Sequence, residues 1–248
     1  MSVMNQVAEG ESADLQWSWL YKIAGTAALI TVVLIPIQIA VFMAWPPPGF
    51  EPTSSTVIGF FTLFQKNRLI GLLDQDLLLV VDEVLGIPIA LALYIALRRA
   101  NQAFMLIATA LGLVGSAAYL ASNTAFAMHS LSAQYAAATT DSQRSLLVAA
   151  GQAVLANYTG TSFQANYVLG SVALIITSAV ILKSNIFSKL TGYVGILASV
   201  IGLGLYVPKI GLALSILSVP LFAIWNTLIA RRFFHLSQRF PESRDSAL

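Results

Sequence analysis

Four carboxylates set close together in an apolar stretch are the side chains of this chain best placed to do chemistry. They are Asp74, Asp76, Asp82 and Glu83, within R-L-I-G-L-L-D-Q-D-L-L-L-V-V-D-E-V-L-G-I-P-I-A-L-A-L-Y-I-A-L-R-R from Arg68 to Arg99. The stretch is long and apolar enough to span a bilayer, where charge is costly, so the acids call for an explanation. On one continuous helix each residue advances about 100°, which puts Asp76 and Glu83 on one face and Asp74 and Asp82 about 80° apart. Asp82 and Glu83 then fall about 20 Å along the helix from Leu69, near the middle of the span. Asp74 and Asp76 fall near its outer end, within reach of water or Arg68. Pro88 removes the hydrogen bond to the Val84 carbonyl and Gly86 loosens the same turn, so a kink is expected there. Carboxylates beside a broken turn recur in ion and proton sites. On this reading Asp82 and Glu83 are the stronger candidates, and Asp74 and Asp76 are wetter ends. The competing reading makes all four structural, paired with groups such as Gln38, Asn123, Asn166, Asn226 and Tyr94 to fix helix packing.

A second polar concentration is N-Y-T-G-T-S-F-Q-A-N-Y, Asn157 to Tyr167. At helical spacing Asn157, Thr161 and Gln164 share one face, and Ser162 and Asn166 another. The segment either lines a cavity with Gln164 or Asn166, or caps a span at the interface, with Tyr158 and Tyr167 in the aromatic belt. The belt is the reading adopted for the two tyrosines. Ser215, Ser218 and Asn226 suit helix–helix hydrogen bonding. His129 and His235 have no second histidine at ligand spacing, so neither haem nor a His-built zinc site is expected. An all-carboxylate site from Asp74, Asp76 and Glu83 is disfavoured by their diverging directions. No metal or cofactor is expected, and no Ser/His/Asp set or G-x-S-x-G turn is readable.

The elements that must position these residues follow from composition. The 248 residues are 57% hydrophobic and 10% charged, against roughly 25% charged in soluble domains. That implies an all-α polytopic membrane protein, because a spanning backbone must satisfy its own hydrogen bonds. A net charge of +2 excludes nucleic acid as an expected partner. The absence of cysteine leaves no disulfide or thiolate. The expected partners are the lipid bilayer and a small-molecule or lipid ligand.

Six spans are expected: about 17–45, 69–97, 104–123, 161–182, 190–207 and 210–229. Residues 1–16 read as a flexible tail, 17–234 as the membrane domain and 235–248 as a basic polar tail. Trp17 and Trp19 sit where headgroup anchors belong, and Pro46, Pro47 and Pro48 stop the first span. Gly112, Gly115 and Ser116 are small residues that allow close helix approach in the third. Ser54 to Gln65 places Val57, Phe60, Phe61 and Phe64 at i, i+3, i+4 and i+7. This is either a helix lying in the interface plane or an extension of the second span. The connection 124–158 reads as an ordered outer cap, with helical spacing at Met128, Leu131 and Tyr135 and a second helix capped by Asp141 or Ser142. With both termini inside, Lys22, Arg98, Arg99, Lys183, Lys189, Arg231, Arg232, Arg239 and Arg244 share the inner side, as the positive-inside rule expects.

G-T-S-F-Q-A-N-Y-V-L-G from Gly160, L-K-S-N-I-F-S-K-L-T-G-Y-V-G-I-L from Leu182 and I-W-N-T-L-I-A-R-R-F from Ile224 resemble a family of bacterial six-span membrane proteins catalogued as a domain of unknown function in the four-thousands of that series. The acidic span running into L-Y-I-A-L-R-R is similar to its N-terminal half, so the resemblance covers about residues 19–234. It implies the bacterial inner (cytoplasmic) membrane, and no activity or functional residue. Three functions stay open: a binder or transporter of a small solute, proton-linked through Asp82 or Glu83; a membrane-embedded enzyme on a lipid or isoprenoid using the same carboxylates; and a structural or regulatory subunit.

Overall fold

The computed structural model describes residues 17–238. The expected tail 1–16, and 239–248 of the expected C-terminal tail, lie outside the described residues. Among the described residues every regular element is helical: α1 Ser18–Ala44, α2 Ser54–Lys66, α3 Arg68–Asp74, α4 Leu77–Ser122, α5 Ala125–Ala137, α6 Asp141–Tyr158, α7 Thr161–Lys183, α8 Lys189–Leu203 and α9 Gly211–Gln238. Five helical stretches are long and apolar enough to cross a membrane: Ser18–Ala44, Leu77–Ala137, Asp141–Lys183, Lys189–Tyr206 and Gly211–Gln238. Ile23, Val33, Val114, Val200 and Ile216 on these helices are exposed, an outward apolar surface of the kind lipid covers.

The acidic stretch is not one helix. α3 ends at Asp74, and Asp76 has φ 60°, ψ 33° in the left-handed region, which interrupts a right-handed helix and which aspartate tolerates better than most residues. Asn67 separates α2 from α3, its side chain accepting from the backbone N–H groups of Leu69 and Ile70 at 3.0 and 3.2 Å. α2 is therefore a helix of its own, not an extension of the second span. The long α4 has one interior residue with non-helical angles, Asn101 at φ −162° and ψ 95°. Its side chain accepts from the Phe104 N–H at 3.1 Å and restarts the helix. Pro88 keeps helical angles; the backbone breaks at Asp76 and Asn101.

The chain divides into two compact units, with boundaries inside α1, α4 and α7. The first unit comprises, among the described residues, 17–32, 85–110 and 171–238. Its core joins Tyr21, Ala24, Ala27, Ala28, Ala92, Ala96, Ile229 and Phe233, small residues at the helix contacts, as membrane helices favour. Ser18 Oγ donates to the Ser237 carbonyl at 3.1 Å, so α9 continues as ordered helix through the start of the expected tail.

The second unit comprises 33–84 and 111–170. The apolar face of α2 is buried here, Val57, Phe60 and Phe61 completely. They pack with Leu72, Met128, Leu155 and Tyr158, so this face is covered by protein and not left for an interface plane. The 124–158 connection is the expected helix pair, α5 and α6. α6 is capped one residue earlier than expected: Thr140 accepts from the Gln143 N–H at 3.2 Å, and the Gln143 side chain accepts in return from the Thr140 N–H at 3.3 Å. This reciprocal pair satisfies two donors that a helix start leaves orphaned.

Candidate functional site

The break between α3 and α4 builds a polar centre in the second unit. Its backbone is held by two carboxamides. Gln38 Nε2 donates to the Leu73 carbonyl at 3.1 Å, and Asn123 Nδ2 donates to the Gln75 carbonyl at 2.9 Å. Gln38 and Asn123 were expected as partners of acids; they fix the backbone that carries the acids instead.

The order of burial reverses the expectation. Asp74 and Gln75 are 0% exposed and Asp76 is 6% exposed, whereas Asp82 and Glu83 are only half-buried. The reason is the break itself. Because α4 begins at Leu77, Asp82 and Glu83 lie about 8 and 9 Å into it, nearer its start than its middle. Asp74 and Asp76 precede the membrane-length helix and are enclosed by the protein, so they are not wet ends. The shared face of Asp76 and Glu83 required an unbroken helix and does not hold.

Tyr158 donates its buried hydroxyl to Asp76 Oδ2, which removes Tyr158 from the aromatic belt. The buried Tyr119 hydroxyl lies beside the same carboxylate and lowers its pKa, although it has no partner at normal hydrogen-bond geometry. Burial dominates both acids. It pushes Asp76 up to about 7, with the Asp74 charge adding to the rise. Burial also pushes Asp74 up to about 6. No cation is among the groups acting on either carboxyl.

Several atoms here are buried with no hydrogen-bond partner in the protein: both carboxylate oxygens of Asp74, both amide atoms of Gln75, Gln38 Oε1, Thr124 Oγ1 and Tyr119 OH. Buried polar atoms are as a rule paired, and each one left unpaired costs about 1–3 kcal/mol. So many open donors and acceptors beside two buried carboxyls give the break the means to bind and release a proton.

Asn166 meets the second acid pair. Its Nδ2 donates to Glu83 Oε1 at 2.8 Å, and a Cβ at Gly115 would stand 3.0 Å from Asn166 Oδ1, so a glycine at 115 lets α4 and α7 approach this closely. Gln164 donates to the Thr159 carbonyl at 3.4 Å, within its own helix start. Among the described residues no three His, Asp or Glu group to hold a metal ion. Asn226, named as a partner for the acids, bonds the Phe222 carbonyl of its own helix at 3.0 Å.

Sequence reasoning missed Gln75 and Tyr119, and assigned Tyr158 to the aromatic belt and not to the site. Gln75 stood between two acids as a spacer, and nothing in the spacing shows that a left-handed residue at 76 turns it inward. Tyr119 sits one helical turn before Asn123, which was singled out, and that spacing was the available signal.

Fold and site together define an all-helical chain with membrane-length apolar helices and an enclosed centre of carboxylates, carboxamides and phenols. Compared with protein-family models, with curated proteins and with solved structures, the chain matches none.

Proposed function

We propose that this is a six-span membrane protein that binds or carries a small polar solute, with proton exchange at Asp74 and Asp76. The observation that carries this reading is the Asp74–Gln75 pair, wholly buried with all four side-chain polar atoms lacking a protein partner. Next to it stands Asp76, held near neutrality. A purely structural pair would be satisfied by its neighbours, as Glu83 is by Asn166. That second pair supports a packing role for Glu83 and moves the site from Asp82 and Glu83 to the break before them.

The reading of six spans is supported by the non-helical residue Asn101 inside Leu77–Ala137, which would divide it into 77–100 and 102–122. α2, α5 and α6 then form the outer-side cap. The basic residues at 98–99 and 183–189 support cytoplasmic termini. The resemblance to the bacterial six-span family supports the inner membrane.

Difference infrared spectroscopy against pH, on the parent in nanodiscs and on Asp74→Asn and Asp76→Asn, tests the reading. A carboxyl band titrating between about pH 5 and 8, and lost in one variant, is expected. No titrating band in the parent would sink it. A companion variant, Gln75→Leu, separates a solute site from an empty polar pocket. Leucine there is neutral or stabilising if nothing binds. It is expected instead to shift the titrating band, because it removes the groups next to Asp74 that hold solute or water.

A further inference from the structure

We propose that a cleft in the first unit, between the end of α9 and the start of α8, is a binding site for a phosphate group, carried by an anionic phospholipid or free in solution. The cleft has a volume of about 440 Å³, within the range of small-ligand sites. Its polar lining is Asn185, Ser188, Thr191, Arg231, Arg232 and His235, two guanidinium groups, an imidazole, two hydroxyls and a carboxamide, with no carboxylate among them.

The sequence places these groups deliberately close. Leu228, Arg231, Arg232 and His235 occupy i, i+3, i+4 and i+7 of α9, a spacing that brings side chains to one face of a helix. Opposite them, Ser188 caps α8, accepting from the Thr191 N–H at 3.2 Å, and the two hydroxyls stand 2.9 Å apart. Lys189, next to Ser188 in the sequence, donates its ammonium to the Leu182 carbonyl, and to the Ser184 carbonyl at 3.3 Å. The cations that line the cleft are Arg231 and Arg232, with the His235 imidazole beside them.

Charge around the cleft has one sign. Among the described residues the first unit contains lysines and arginines and no aspartate or glutamate. A planar guanidinium presents paired donors that match phosphate oxygens better than an ammonium does. Leu228 and Ile186 give the same cleft an apolar side, which suits the glycerol and first acyl carbons of a phospholipid. Basic pockets between helices on the cytoplasmic side of a membrane are a known way of holding such headgroups.

The test is native mass spectrometry of the full chain released from micelles containing phosphatidylglycerol or phosphatidylcholine. The comparison covers the parent, Arg231→Gln, His235→Gln and Lys209→Gln, the last removing a cation outside the cleft. Arg231 and His235 are exposed helical positions where glutamine is well tolerated, and two variants guard against one failing to fold. The parent is expected to retain one phosphatidylglycerol in preference to phosphatidylcholine. Arg231→Gln should weaken that retention about ten-fold, the low end for a hydrogen bond to a charged group. His235→Gln should weaken it less, and Lys209→Gln should leave it unchanged. Displacement of the lipid by millimolar inorganic phosphate would support the site with free phosphate as its ligand; resistance would support it with the lipid headgroup. Equal retention of the two lipids together with no phosphate binding, or equal loss in Lys209→Gln and Arg231→Gln, would overturn it.

Discussion

Replacing Asp76 by asparagine removes one titrating group and keeps its shape. Burial holds the Asp76 carboxyl at about 7 in the folded chain, against 3.8 when unperturbed. The folded state therefore keeps a proton that the unfolded state has already lost throughout that interval. Stability is greatest below about pH 4, falls as pH rises through the interval, and levels off above about 7. Three pH units at about 1.4 kcal/mol each set an upper limit of roughly 4 kcal/mol. Asparagine carries no charge at any pH, and its Oδ1 still accepts from Tyr158. Asp76→Asn should thus match the parent within about 1 kcal/mol at pH 4 and exceed it by about 2–4 kcal/mol at pH 8. At about 2–4 °C per kcal/mol for a chain of this size, the melting temperatures should diverge by on the order of 10 °C. The assay is thermal unfolding in nanodiscs across pH 4–9, with the difference between variant and parent plotted against pH. Asp74, raised to about 6, contributes a slope of the same sign that ends about one unit lower, and both proteins retain it. A difference curve flat from pH 4 to 9 would refute the burial argument, and one that falls with rising pH would reverse its sign.

Asn166→Ala leaves half-buried Glu83 without its 2.8 Å donor and should cost about 1 kcal/mol, discounted for exposure. A double-mutant cycle with Glu83→Gln should return a coupling of similar size, measured by chemical unfolding. Thr140→Ala removes the hydroxyl that accepts from the Gln143 N–H, the side-chain half of the α6 capping box, and should cost about 1 kcal/mol. Hydrogen exchange should show faster loss of protection in the first turn of α6 than elsewhere.

The helical class and most helix positions were legible because they rest on local pattern. Runs of apolar residues, the Pro46–Pro48 stop and the i, i+3, i+4, i+7 phenylalanines of α2 each act within a turn or two of themselves. What covers an apolar face is not local. The phenylalanines of α2 read equally as an interfacial stripe, and only the return of α5 and α6 over them decides for a protein core. The acids show the same limit more sharply. Asp82 and Glu83 ranked first on the assumption of one helix from Leu69. A single left-handed residue at Asp76 shifts the start of that helix by eight residues and exchanges the burial of the two pairs.

That left-handed residue also gives the site its character. A buried aspartate inside a continuous helix has its backbone hydrogen bonds satisfied and only its carboxyl oxygens left to pair. At a break, the backbone carbonyls of residues 73 and 75 become acceptors too, and here Gln38 and Asn123 are drawn to them. The two carboxamides spent on the backbone are then unable to satisfy Asp74 with the same N–H groups. Tyr158 satisfies Asp76 alone. The open oxygens of Asp74 are thus a consequence of how the break is stabilised. A carboxyl left without a donor in an enclosed setting has its pKa raised toward neutrality, and the proposal of proton exchange at the residues that stop α3 rests on that rise.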